Sequence, residues 1–413
     1  MLRGRMRERG RWTVHDLRRD NRSMLLSSLF FDHPRSRLEL SEATGLSPAS
    51  VSNVMRGLID EGIVVEADAV ESDGGRPRVL LRVSPEYGYV IGIDASRARA
   101  RVRLYDLTMA EQARAEYPLD PRQHGAGLIV EAVLAGIAAV LDGGAIDPAA
   151  VLGVGVAIPG IVENGPDGLV HGQAYGRDSV PLGRLLRSRT SLPLYIDNDA
   201  KALGQAELWF GAGRDARSMI SCLIGSGVGA SIITGGEALP GATSSAGEWG
   251  HTTVVVGGRA CRCGSSGCLE AYAGAAAILD RWDRPRPGGD LGAALTALIG
   301  QAATSVEAAQ VLNETALYLG AGIADLINLF NPERIIIGGW AGLLLGRSML
   351  PAIRAAAGEH ALRHLFARTS IELGRLGPDA VALGAATLPV RAFLSGSAGA
   401  ASSPAARGAA RAG

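Results

Sequence analysis

The sequence predicts an α/β protein in which a small helical module, closed by a pair of strands, precedes a large domain of two similar halves with a cleft between them. Three observations lead there. Apolar residues recur at helical spacing between residues 21 and 62. From about residue 86 the chain turns to apolar runs such as VLGVGVAIPGI, LPLYIDNDA, SMISCLIGSGVGASIIT and RIIIGGW, each ended by Gly, Pro or Asp and several separated by helical segments. The stretches 86–200 and 218–390 both open on a strand-glycine-strand hairpin, which hints at duplication.

Bulk properties narrow the classes. A chain of 413 residues has room for two or three domains and a large core. It is 47% hydrophobic and 20% charged with a formal net charge of zero. That balance argues against coating nucleic acid along the whole chain, while allowing a basic module at one end. No signal peptide and no apolar run of about 18 residues stands out, so no membrane span is expected. Of four cysteines, three are clustered, which fits a reducing cytoplasm better than a disulfide framework. The cations are 40 arginines and a single lysine, Lys201. High-GC codon bias would explain most of that imbalance without any function.

In chain order, residues 1–20 are an Arg-rich arm without apolar periodicity, expected to be disordered or to lie near phosphates. Residues 21–84 follow as a winged helix-turn-helix. NRSMLLSSLFF has helical spacing, and SRLELSEATGLSPASVSNVMRGLIDEG reads as helix, turn, helix. Ser36 is an expected N-cap, Gly45 the turn residue, and Ser47 a second N-cap followed by Pro48. The second helix buries Val51, Val54, Met55, Leu58 and Ile59 and presents Ser47, Ser50, Ser52, Asn53 and Arg56. Small residues let a backbone approach a groove floor, and Asn and Arg read base edges. IVVEADAVESDGGRPRVLLRV then reads as strand, turn, strand, with Arg76 and Arg78 at a Gly-Arg-Pro tip suited to a narrow minor groove. Residues 85–392 form the α/β domain, and 393–413 are an Ala/Gly/Ser/Pro tail expected to be disordered.

The densest chemistry lies in EWGHTTVVVGGRACRCGSSGCLE. His251, Cys261, Cys263 and Cys268 make H-x9-C-x-C-x4-C, an imidazole and three thiolates suited to tetrahedral Zn²⁺. Gly264 and Gly267 let the loop fold tightly, and the closed ligand set points to a structural ion. Cys222, inside an apolar strand, reads as core. Glu248 and Glu270 flank the loop, so a pinned loop would present two carboxylates to the hydroxyls of a polyol.

GEWGH, CRCGSSGCLE, the DND triplet, LIGSGVGASI and NPERIIIGG together resemble the ROK family of sugar kinases and sugar-responsive repressors. The GGRPR tip and YVIGIDAS are similar to its repressor branch, of the xylose and N-acetylglucosamine type. The resemblance covers about residues 20–390. It implies a duplicated actin-like (ribonuclease H-like) domain with an interlobe cleft. It places sugar contacts on Asn198, Asp199, Glu248, His251 and Glu270, with Asp199 as the general base in kinase members. Gly225, Gly227, Gly229, Gly338 and Gly339 fall on the family's nucleotide-facing segments. One departure stands out: the kinases' Asp-x-Gly-Gly-Thr-Lys hairpin is here Asp94-Ala95-Ser96-Arg97-Ala98-Arg99, without the glycines that admit phosphates. Lys201 stands where the kinases tend to carry Asn, placed to pair with Asp199 or with an anionic effector.

The expectation is a cytoplasmic repressor of carbohydrate metabolism, a homodimer or homotetramer. It binds operator DNA and a sugar or sugar phosphate, holds structural Zn²⁺, and has lost or nearly lost kinase activity. The alternative is an ATP-dependent, glucokinase-like hexose kinase with an appended DNA-binding domain. A third reading has a phosphotransferase protein, and no sugar, lifting the regulator from DNA.

Overall fold

The computed structural model describes residues 14–70, 78–96, 98–119, 125–163, 165, 167–172, 179–284 and 290–397. The first helix, Val14–Phe31, begins inside the segment expected to be a disordered arm. In its first turns Leu17 is 50% exposed, while Leu25, Leu26, Leu29 and Phe30 further on are buried. Adding turns to an anchored helix is far easier than nucleating one, so the helix extends backward past its apolar stripe.

Helix Arg37–Thr44 has a full capping box: Ser36 Oγ accepts the Glu39 N–H, and Glu39 accepts the Ser36 N–H. Gly45 ends it at φ 70°, a left-handed conformation that costs glycine little. Helix Pro48–Asp60 is capped by Ser47 and buries Val51, Met55 and Leu58, with Val54 and Ile59 half-buried. Strand Val64–Val70 pairs antiparallel with Arg78–Val83, whose other edge takes the short strand Arg35–Ser36. This is a winged helix-turn-helix. The wing tip, including Arg76, lies outside the described residues.

The large domain holds two five-stranded sheets of the same topology. In the first, Tyr89–Ala95 is central; Arg99–Asp106 and then Glu111–Pro118 run antiparallel on one side, and Val151–Ile158 and then Leu194–Asn198 run parallel on the other. In the second, Ser218–Ile224 is central, with Val228–Thr234 and Glu237–Ala238 on the antiparallel side and Arg334–Gly338 and Ser370–Leu373 on the parallel side. Repetition of one strand order identifies the duplicated actin-like fold.

Helix Ala126–Gly144 is the one described helix long and apolar enough by composition to cross a membrane. Here it turns Ile129, Val133, Ile137 and Val140 onto the first sheet. Two further helices, Asp199–Phe210 and Ala380–Leu394, pack together and join the halves: the latter lies on the first sheet, the former on the second. Their approach requires glycine. A Cβ on Gly155 would fall 1.8 Å from the Ala385 carbonyl oxygen, and one on Gly384 would fall 1.8 Å from that of Ala202. The winged head shares a core with the first lobe, in which Leu25, Leu29 and Leu81 meet Val90, Leu152, Val390 and Leu394.

Candidate functional site: a metal-ligand loop beside an acidic cleft

The loop after Glu248 folds as its spacing suggests. Gly264 and Gly267 take φ of 93° and 76°, and a side chain at Gly267 would collide with the Val255 carbonyl. Main-chain bonds from Cys261 N–H to Ser265 O and from Gly267 N–H to Arg259 O close the knuckle, each 2.8 Å long. The four ligand atoms of His251, Cys261, Cys263 and Cys268 lie within 4.8 Å of one another. Cys263 Sγ and Cys268 Sγ are 3.7 Å apart, as are His251 Nδ1 and Cys261 Sγ. Four ligands on a tetrahedral ion with metal–sulfur bonds of about 2.3 Å leave neighbouring sulfurs about 3.8 Å apart, so the set fits a metal. Burial pushes the Cys261 thiol up to about 12. Cys222 is fully buried core, as expected.

Beside this loop the cleft collects carboxylates from both lobes. Burial pushes Asp199 up to about 7, with further contributions from Asp94 and Glu248. Burial likewise pushes Asp94 up to about 6 against the pull of Arg101. Burial raises Glu248 too, opposed by His251 and Lys201 and reinforced by Glu270. The cleft can therefore hold a proton near neutral pH and both donate to and accept from hydroxyls. Asp94 as a cleft carboxylate escaped the sequence reading, because its neighbour Asp199 is close only in space.

Several expected contacts carry structural duties as well. Asn198 caps its helix, accepting from Ala200 N–H at 2.9 Å and Lys201 N–H at 3.1 Å, and donates to Gly160 O at 3.0 Å. One amide hydrogen is left for a ligand. Glu270 is buried and accepts from Val228 N–H at 3.0 Å and from Arg262 Nε at 3.1 Å. Lys201 corrects one expectation. It is buried, and its ammonium is held by the Ser244 carbonyl and by Asp197, 3.5 Å away, so it does not pair with Asp199.

The nucleotide-side glycines divide. Gly225 and Gly227 form a tight turn through the Gly225 N–H to Gly227 O bond. A side chain on Gly225 would meet the Trp340 indole nitrogen at 3.2 Å, an aromatic neighbour the sequence reading missed. Gly229 and Gly338 lie beneath helix Asp199–Phe210, where added side chains would meet Ala200 Cβ at 3.1 Å and Leu203 at 2.9 Å. These two serve packing. Gly339 takes φ 77° at the start of helix Trp340–His360. In the first hairpin Ser96 Oγ donates to Arg99 O, and Arg101 turns inward to Asp94, Glu116 and the Pro378 carbonyl. Arg97 lies outside the described residues.

On the head, Ser47 is occupied as a cap for Ser50, while Asn53 and Arg56 are exposed. Ser52 and Arg56 line an open groove with Arg37, Ile59 and Glu66. Arg37 was not anticipated, since its place at the first turn of another helix gives no periodic signal. Arg78 is exposed at the start of the wing's second strand.

Comparison with known proteins places this geometry. The model of the ROK family matches residues 90–391. The chain is 31% identical over 390 residues to the xylose repressor of Caldicellulosiruptor bescii, covering 92% of this chain and 97% of that one. A solved ROK family transcriptional regulator, described as a homolog of the Escherichia coli MLC protein, superposes with TM-score 0.77 at 26% identity, covering 92% and 97% of the two chains. A ROK family glucokinase from Streptomyces griseus, solved with glucose and AMPPNP, gives TM-score 0.61 at 27% identity, covering 73% of this chain and 99% of its own.

Proposed function

The chain belongs to the ROK family, and on that premise we propose that it is a sugar-responsive transcriptional repressor of carbohydrate metabolism acting in the cytoplasm. The observation that carries the reading is the extent of the likeness. Similarity to the solved regulator runs over 92% of the chain, head included, whereas the glucokinase matches 73%.

The winged head binds operator DNA through helix Pro48–Asp60, with Ser50, Ser52, Asn53 and Arg56 toward the groove and Arg76 and Arg78 at the wing. Two copies, as a dimer or within a tetramer, match inverted half-sites. A sugar or sugar derivative occupies the cleft against Asn198, Asp199, Glu248, His251 and Glu270, where paired carboxylates and a free amide hydrogen suit hydroxyl groups. His251, Cys261, Cys263 and Cys268 would hold Zn²⁺, which when bound supplies a structural cross-link and no chemistry on the sugar. Ligand occupancy changes DNA affinity because it favours one lobe arrangement over another.

Kinase chemistry remains the second reading, supported by an Asp199 whose raised pKa suits a general base. Against it stands the first hairpin, which lacks the two glycines of the kinase pattern and in which Ser96 Oγ donates to Arg99 O. The test is a titration of the purified protein on the duplex upstream of its own gene, with xylose, glucose, N-acetylglucosamine, their phosphates and ATP. Expected are specific binding altered by one sugar, and a Glu248→Ala variant that binds DNA and ignores it. An undiminished response in Glu248→Ala would falsify the pocket assignment. Absence of specific DNA binding, with hexose-dependent ATP turnover lost in Asp199→Asn, would establish the kinase instead.

A further inference from the structure

Helix Asp199–Phe210 reaches from the cleft to the winged head. At its start stand Asn198 and Asp199. At its end, Trp209 and Phe210 pack against Phe30 and Phe31, the last residues of the head's first helix. Phe31 and Trp209 meet edge to face with centroids 4.9 Å apart, Phe30 lies 5.8 Å from Trp209, and Phe30 lies 6.5 Å from Phe210. Just beyond, Arg214 Nη2 donates to Phe31 O at 3.3 Å and stands 3.5 Å from Asp32 Oδ1.

The helix is held along its length. Lys201 ties its first turn to Ser244, in the loop that leads to Glu248. Gly204 sits against Ser231 of the second sheet, and Ala202 against Gly384 of the C-terminal helix. Fully buried Glu207 accepts from the N–H groups of Ala212, Arg375 and Leu376 at 2.8, 3.4 and 3.5 Å. A helix of 12 residues is a rod about 18 Å long, and such a rod passes a shift at one end to the other with little absorption.

The head also packs on the C-terminal helix, through Val390 and Leu394, and on strand Tyr89–Ala95, through Val90. Neither of these elements brings a proposed sugar contact, although that strand carries the cleft carboxylate Asp94. The Trp209–Phe210 end is where the head touches a helix that begins at two proposed sugar contacts, Asn198 and Asp199.

We propose that helix Asp199–Phe210 transmits ligand occupancy to the DNA-binding head, with Trp209 the positioning residue that passes its movement to Phe30 and Phe31. The proposal rests on the reading above, in which a sugar fills the cleft and DNA binds the head. Discrete packing of aromatic rings gives such a contact two arrangements and no continuum between them. A pull on the first turn then changes how the head is seated, and with it the spacing of paired heads.

The experiment measures duplex affinity with and without saturating xylose, glucose or N-acetylglucosamine, in wild type, Trp209→Leu, Trp209→Phe and Arg214→Ala. Wild type is expected to show a ratio within the 5- to 150-fold range of allosteric couplings, roughly, and Trp209→Leu a ratio near one. The sugar affinity and the sugar-free duplex affinity of Trp209→Leu should each stay within about twofold of wild type, as for sites remote from both ligands. Trp209→Phe should restore most of the ratio, which a merely structural role would not predict. If Trp209→Leu does not fold, a diminished ratio in Arg214→Ala carries the same meaning, and an unchanged one counts against the link. A wild-type ratio retained in folded Trp209→Leu overturns the link alone; a wild-type ratio of one under every sugar overturns the regulatory reading with it.

Discussion

On the proposal that the His251 loop holds zinc, withdrawing it should loosen that loop and spare the rest of the second lobe. Cys263 Sγ and Cys268 Sγ are 3.7 Å apart against the roughly 3.8 Å of a tetrahedral sulfur pair, and all four ligand atoms lie within 4.8 Å of one another, so the loop is already gathered for an ion. The ends of the loop are held independently, by buried Trp249, Leu269 and Tyr272 and by the Leu269 N–H to Thr252 O bond. Its middle is different: Val256 is 95% exposed, and Cys263 is exposed too. At free zinc one hundred times the dissociation constant, a metal that binds only the folded state contributes about 2.7 kcal/mol. At about 2–4 °C per kcal/mol for a unit of this size, Cys263→Ser should lower Tm by about 5–11 °C. Elemental analysis should find the metal gone. Hydrogen exchange should rise across residues 252–269 and stay unchanged in helix Val306–Phe330. A Cys263→Ser protein that keeps a full equivalent of zinc, or loses it with exchange over the loop unaltered, refutes the structural role.

Two further outcomes follow from the cleft and the head. Asp199 holds its proton to about pH 7 when folded and to an ordinary carboxylate value when unfolded, so it lowers stability progressively as pH rises through that window. Asp199→Asn should therefore raise Tm more at pH 8 than at pH 5; a gain independent of pH would mean that the carboxyl is not perturbed. Arg56→Ala should weaken duplex binding and reduce the slope of log affinity against log salt by roughly one, measured by anisotropy. An unchanged slope and affinity would remove Arg56 from the interface.

Much of this protein was legible locally. The caps at Ser36 and Ser47, the turn at Gly45 and the buried stripe Val51, Met55, Leu58 depend on interactions within a few residues, and each is found where its spacing put it. The His/Cys cluster was legible for the same reason: its three thiols share one tight turn. Elsewhere reading by local pattern fell short. The first helix outran its apolar periodicity because propagation needs no buried face. Gly229 and Gly338 match nucleotide-facing segments, and no local pattern tells that a side chain on either would also meet helix Asp199–Phe210.

What the amino-acid order determined alone was therefore the kind of protein: a winged head, a repeated α/β half, a tetrahedral ligand set, and a hairpin without the glycines that admit phosphate. These are matters of short-range geometry and residue chemistry. Tertiary structure alone decided which groups face one another. It brought Asp94 to Asp199 and raised both, turned the single lysine inward to a carbonyl far along the chain, and set Trp209 against Phe31 at the far end of the helix that starts in the cleft. Such pairings arise when two sheets and a head close on shared cores. Burial and charge then act between residues that no sequence window contains.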